Sequence, residues 1–216
     1  MKNFKTYFAI ISISFIFTLY LFETYLTINK SKVKLNFNNL NAKYKNNVKF
    51  DNRSKLEVFK DLKKNDPKTS VSFHNLFFLR ENFKKIYPLS GISNSNTLHC
   101  NENGFYSIYK SDRFGFNNPD SEWNKDKIDY ILIGDSFVHG NCVNRPNDIS
   151  SNLRNMSENA VINLGFNGSG PLTQYAILKE YIEPNIKNVI WIFSDNDLDD
   201  LNKELNSDFL TRYLKN

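Results

Sequence analysis

The chain has 216 residues, 40% hydrophobic and 15% aromatic, which supplies one packed domain plus an anchor and excludes a disordered polymer. Its 28 Lys and Arg against 23 Asp and Glu leave a formal net charge of +5, and the excess is local: eleven basic residues fall between Lys30 and Lys64 against three acidic ones, Asp51, Glu57 and Asp61. No nucleic-acid fold signature accompanies that run, so no nucleic-acid partner is expected, and it reads as a solvated stalk beside anionic lipid head groups.

The first element is apolar. Lys2 and Lys5 lead into 17 uncharged residues, 6–22, mostly Phe, Ile, Leu and Tyr. A bilayer core takes roughly 17–25 residues, whereas the core of a signal peptide takes about 7–15. Glu23 interrupts the run, Thr24 to Ile28 extend it to the interface, and no Ala-x-Ala-like cleavage site follows. Residues 1–28 are therefore expected to be a retained signal anchor, crossing with residues 6–28, and a cleaved signal peptide is the alternative. Lysines flank both ends, so charge bias does not set the orientation.

Residues 29–66 read as a basic juxtamembrane linker closing at Asp66-Pro67, with a short helix at 56–62 where Leu56, Phe59 and Leu62 share a face. Residues 67–127 alternate apolar clusters with turn-forming Asn, Ser and Gly, and are expected to be an irregular extension with short strands, packed on the domain that follows. The extension ends in Asp112-Arg113-Phe114-Gly115-Phe116-Asn117-Asn118-Pro119.

From Ile128 the pattern becomes regular. Ile128–Ile133 is a short isoleucine-rich run that predicts a buried strand ended by Gly134. Residues 148–156 predict a helix with Asp148 as N-cap. A second strand is expected at 160–164, a helix from Pro171 to about Tyr181, a third strand at 189–193, and a last helix at 199–214 with Leu201, Leu205, Phe209 and Tyr213 spaced at four. Buried strands alternating with helices mean βαβ units and a parallel sheet over residues 128–216. Right-handed crossovers then bring loops 134–140, 165–170 and 194–198 to one sheet edge, where open α/β sheets bind ligands.

Each loop carries a candidate. Ser136 follows a buried strand at a glycine turn, where helix-end amides would favour an acyl-transfer anion; taken alone it reads as a helix cap. Gly165 offers an unobstructed backbone N–H and Asn196 a side-chain amide, both oxyanion donors by chemistry, while Asn196 and Asp197 can also simply start the next helix. Cys100 and Cys142 are the two cysteines. In an oxidising compartment they form one bridge worth roughly 4 kcal/mol by loop entropy, and otherwise they are two separate buried thiols. Neither has a CxxC neighbour or a ligand cluster, so no metal site is expected.

Residues 128–214 resemble the first three blocks of the SGNH/GDSL hydrolase superfamily. Gly134-Asp135-Ser136-Phe137 matches the nucleophile block, Asn163-Leu164-Gly165 the glycine block and Asn196-Asp197 the asparagine block. The segment Asp112-Arg113-Phe114-Gly115-Phe116-Asn117 resembles one that precedes this domain in many bacterial members. The resemblance implies a flavodoxin-like α/β/α three-layer sandwich without cofactor. It implies Ser136 as nucleophile, with the N–H groups of Ser136 and Gly165 and Nδ2 of Asn196 forming the oxyanion hole, and Asp135 and Asp197 supporting. An exported enzyme also sets the expected topology: N-terminus cytoplasmic, domain extracytoplasmic, in a bacterial periplasm.

Two positions depart from that pattern. The asparagine block usually reads Gly-x-Asn-Asp, and Ser194-Asp195-Asn196-Asp197 puts serine where the glycine stands. The Asp-x-x-His block that carries the base has no counterpart, since no histidine follows His139. His139 is expected to point away from the base position, and His74 and His99 lie upstream. The chain is accordingly expected to be the first part of the domain, incomplete at its C-terminus, with more strands beyond Asn216. The leading expectation is a membrane-anchored esterase or deacylase, or an O-acyl transferase, acting on an acyl ester of an envelope polysaccharide or lipid. The alternative is a catalytically inactive, membrane-tethered binding module on the same fold. A nucleotide or flavin binder is disfavoured, because the first loop carries neither a GxGxxG nor a P-loop pattern.

Overall fold

A computed structural model describes residues 2–47, 50–79 and 86–215. The chain divides into two units, Met1–Phe50 and Asp51–Asn216.

The first unit is one helix, α1 (Lys2–Asn47). Within it, the 24 residues Thr6–Asn29, with a mean hydropathy of 1.7 over their most apolar 18-residue stretch, are long and apolar enough to cross a membrane. At 1.5 Å per residue they span about 36 Å, against a hydrocarbon core of about 30 Å. The hydroxyls of Thr18 and Thr24 donate to the carbonyls of Ser14 and Tyr20, each at 2.8 Å, and Thr27 donates to Glu23 O at 2.9 Å. Hydroxyls satisfied within the helix need no water. The basic segment beginning at Lys30 continues helically to Asn47. Lys49 and the side chains of Lys30, Lys32, Lys34, Lys43 and Lys45 lie outside the described residues.

The second unit opens with α2 (Lys55–Asn65), started by a capping box in which Glu57 N–H donates to Ser54 Oγ and Ser54 N–H to Glu57 Oε2 at 2.7 Å. Its inward residue is Val58, while Leu56 is 59% exposed, so the expected Leu56–Phe59–Leu62 face is rotated. Three short strands follow: β1 (Ser70–Val71), β2 (Asn96–Leu98) and β3 (Ile108–Lys110), with β2 pairing parallel to β1 and antiparallel to β3. A 3-10 turn at Asn75–Leu79 separates β1 from β2, and another at Asp120–Asn124 precedes the second sheet.

That sheet is parallel, in the order β5-β4-β6, from β4 (Ile128–Ile133), β5 (Val161–Asn163) and β6 (Ile186–Trp191). Between its strands run α3 (Ser136–His139), α4 (Ile149–Ser157) and α5 (Pro171–Tyr181); α6 (Asp197–Glu204) and α7 (Asp208–Thr211) follow β6. The molecule is thus mixed α/β with small sheets, one of them parallel, plus an apolar N-terminal helix. β4 is central and its side chains alternate between faces. Ile131 and Ile133 pack with Ile162, Leu164, Phe166 and Ile177, and Leu132 packs on the other face with Val138 and Val161.

Two expected boundaries move. The third strand begins at Ile186, because its parallel ladder with β4 starts at Ile128↔Ile186. The exposed Lys187 and Asn188 break the apolar run that marked 189–193 as the strand. The expected helix 199–214 is interrupted after Glu204, and Ser207 restarts it as the N-cap of α7, accepting from Leu210 N–H. Leu210 is the buried residue there, and Leu205 faces outward.

α5 has no cap of its own, since its N-cap residue is Gly170. Glu204, fully buried on α6, fills that role: it accepts from the N–H groups of Gly170 at 2.8 Å and Leu172 at 2.9 Å, and from Thr173 N–H and Oγ1. A carboxylate at a helix N-terminus meets both the free donors and the positive end of the helix dipole. Glu204→Ala orphans these donors and is expected to destabilise the full-length protein by about 3 kcal/mol, read from the denaturant midpoint, with Glu204→Gln less affected because one acceptor remains.

Candidate functional site

The parallel sheet ends on three loops, as expected, and the pivot between them is Asp135. This buried residue caps α3 through Oδ1, which accepts from Phe137 N–H at 3.1 Å. Its Oδ2 accepts from Ser194 Oγ at 2.9 Å and lies 3.4 Å from Asn196 Nδ2. The loop bearing Ser136 is thereby tied to the loop bearing Asn196. Asp197, also buried, accepts from Gln174 Nε2 at 3.0 Å and from Ser194 N–H. Ser194 is the hydroxyl that reaches both carboxylates, at 2.9 Å and 3.3 Å.

Gly165 packs directly on α3. A Cβ at that position would fall 2.5 Å from His139 N and 2.6 Å from Val138 Cβ, so no side chain fits there. Its N–H donates to Asn163 Oδ1 at 2.8 Å. Asn163 Nδ2 in turn donates to Val138 O at 2.6 Å, so one side chain joins the end of β5 to the turn carrying Ser136.

Ser136 is the first residue of α3 and is half-buried. It lines a cavity of about 510 Å³ whose other walls include Phe137, Asn141, Val143 and Ile149, with Glu102 and Asn103 opposite in sequence. Gly165 and Asn196 are not among the cavity's lining residues. The amide of Asn196 donates to Asp200 Oδ2 at 3.0 Å as well as facing Asp135. An oxyanion on Ser136 would therefore compete with Asn163 for the N–H of Gly165, and with Asp135 and Asp200 for Asn196.

The histidines separate clearly. His139 is fully buried; its Nδ1 accepts from Asn167 N–H at 3.0 Å, so Nε2 carries the proton and donates to Tyr109 OH at 3.0 Å. Both ring nitrogens are spent on holding the glycine loop and β3 together, and burial keeps the ring neutral, its pKa well below the usual value, with His99 adding to the effect. His99 stacks on His139 with centroids 4.5 Å apart, and burial, then the charge of Lys55, lowers its pKa to about 4. His74 has folded back onto the glycine loop: a Cβ on Gly168 (φ +76°) would fall 1.9 Å from His74 Nδ1. Among the described residues no cluster of His, Cys, Asp and Glu could hold a metal ion.

Cys100 and Cys142 form a disulfide with Cα atoms 5.0 Å apart. It joins the extension to the turn after α3, beside the cavity.

Residues without an individual role assigned from sequence support this edge. Asp112 Oδ1 accepts from the N–H groups of Phe114 and Phe116, and Oδ2 from Asn118 Nδ2 and Trp123 Nε1, all at 2.8–2.9 Å. Asn118 pairs with the backbone of Asn163 in both directions, at 2.8 and 2.9 Å, and Asn117 Nδ2 donates to His139 O at 3.0 Å. The traces of this network in the sequence are the segment 112–119 and a polar residue, Asn163, ending an apolar strand.

No family model, curated protein or solved structure matches the chain.

His99 and His139 refuse in the fold the proton that an unfolded chain takes up below about 6.5. Stability is therefore fully present above that pH and is lost as pH falls towards 4. At ~1.4 kcal/mol per pH unit, carrying His99 from 6.5 to about 4 costs on the order of 3 kcal/mol. Thermal unfolding across this range should steepen in the wild type and flatten in His99→Phe.

Proposed function

We propose that the protein is a membrane-anchored serine ester hydrolase or acyl transferase of the SGNH/GDSL type, with a flavodoxin-like sandwich as its full architecture. The observation that carries the proposal is Ser136 itself: a half-buried serine opening a helix after the central strand of a parallel sheet, facing a cavity of about 510 Å³. The asparagine-block loop is held to that turn through Asp135, and the glycine-block loop through Asn163.

In this reading Ser136 Oγ attacks an ester carbonyl, its proton passing to water and the departing alkoxide taking a proton from water, since both ring nitrogens of His139 are already committed. Water then repeats the cycle on the acyl-serine, or a sugar hydroxyl takes the acyl group. The tetrahedral oxyanion draws on the N–H of Ser136 and Gly165 and on Asn196 Nδ2, whose present partners, Asn163 Oδ1, Asp135 and Asp200, must give way. The Cys100–Cys142 bridge favours an oxidising compartment. With the apolar stretch Thr6–Asn29, it supports a cytoplasmic N-terminus and a periplasmic domain acting on envelope polysaccharide or lipid esters.

A second reading has its own support. The committed donors of Gly165 and Asn196, and the locked imidazole of His139, suit a non-catalytic binding module. A fluorophosphonate probe on the full chain in nonionic detergent separates the two. Labelling that is lost in Ser136→Ala is expected for the enzyme, and a wild type that never labels establishes the binding module.

A further inference from the structure

The walls of the Ser136 cavity differ in charge in a way neither family blocks nor fold require. Asn103, Asn141 and Asn147 are neutral amides, and Phe137, Val143 and Ile149 are apolar. Two lining residues are acidic and none is basic. Asp148 is the N-cap of α4, and its carboxylate accepts from Ser151 N–H and from the hydroxyls of Ser150 and Ser151. It also interacts with the guanidinium of Arg154. Glu102 is different: it is exposed, and it makes no ion pair among the described residues.

Glu102 is also held in place. Two residues before it, Cys100 is bonded to Cys142. One residue after it, Asn103 Nδ2 donates to Cys142 O at 3.3 Å. The turn is closed by Gly104 N–H on Asn101 Oδ1 at 3.0 Å, and it is pinned to Asp51 by Asn101 Nδ2→Asp51 O and Asp51 N–H→Gly104 O, both at 2.8 Å. The backbone that carries Glu102 is fixed by these bonds, so its carboxylate stays within a side chain's length of the cavity wall. A sphere of about 510 Å³ is roughly 10 Å across, about one Debye length at moderate salt.

We propose that Glu102 is a specificity-determining residue of the Ser136 site, biasing the cavity towards neutral and cationic esters and against anionic ones. This rests on Ser136 as nucleophile. A unit charge about 10 Å away in water changes a rate by roughly twofold at low ionic strength, so a cationic and an anionic ester of equal size should differ by about fourfold.

The test measures acylation of Ser136 in the full chain, in nonionic detergent, with activated aryl esters of matched size that are neutral, trimethylammonium-bearing or sulfonate-bearing. The wild type should favour the cationic over the anionic ester by about fourfold at low salt, with the ratio shrinking towards one at high salt. Glu102→Gln should bring the ratio to about one, and Glu102→Lys should invert it. Glu183→Gln, the same change in net charge just ahead of β6, should leave the ratio at the wild-type value. A wild-type ratio retained in Glu102→Gln overturns the assignment of Glu102 alone. Absence of acylation by every ester in the wild type overturns it together with the nucleophile role of Ser136.

Discussion

Asp112 is the side chain on which the second unit turns. Its two oxygens gather two backbone N–H groups, one amide and one indole, and so fix the shape of residues 112–123. Fixing that shape sets Asn118 against the outer edge of β5, where it behaves as a one-residue strand, donating to Asn163 O and accepting from Asn163 N–H. A buried carboxylate tolerates its desolvation only when fully partnered. Here its partners are the residues that join the extension to the parallel sheet.

The same economy recurs along the strand ends. Asn163, Asp135 and Asp197 each join two segments distant in sequence through one side chain. Glu204 caps a helix it does not belong to. The turn bearing Ser136 is consequently held on two sides, with its neighbour Asp135 restrained from the third loop and its last residue, His139, restrained from the second and from β3. Rigid placement is what an acyl-transfer site requires, since a displacement of about 1 Å is costly to rate. It is equally what a binding module requires, and hence the weight that falls on the reactivity of Ser136.

Much of the scaffold was legible because burial wrote it in apolar runs. Ile128–Ile133 is β4 to the residue, Asp148 caps α4, and Pro171 opens α5. β6 was displaced because it lies at the side of the sheet: Lys187 and Asn188 can face outward within it, so periodicity followed Val189 to Phe193 instead. The last helix was drawn as continuous because side-chain spacing does not register a serine that restarts a helix, as Ser207 does. At the site, the loops bearing Ser136, Gly165 and Asn196 were legible from strand ends. The partners that occupy Gly165 N–H and the Asn196 amide were not, because Asn163, Asp135 and Asp200 reach them through tertiary geometry. The pairing of Cys100 with Cys142 likewise stayed open until the fold brought the two residues together.

One feature of the sheet bears on how the molecule behaves in company. The flank of β5 is satisfied by Asn118, but among the described residues no strand pairs with the far flank of β6. Val189 and Ile190 remain 40% and 36% exposed there. Such a flank is a template on which another extended chain can be laid. Lys187 places a charge near the start of that flank, a guard against edge-to-edge pairing. An extended segment laid along β6 would have to accommodate that ammonium group beside the apolar pair Val189 and Ile190.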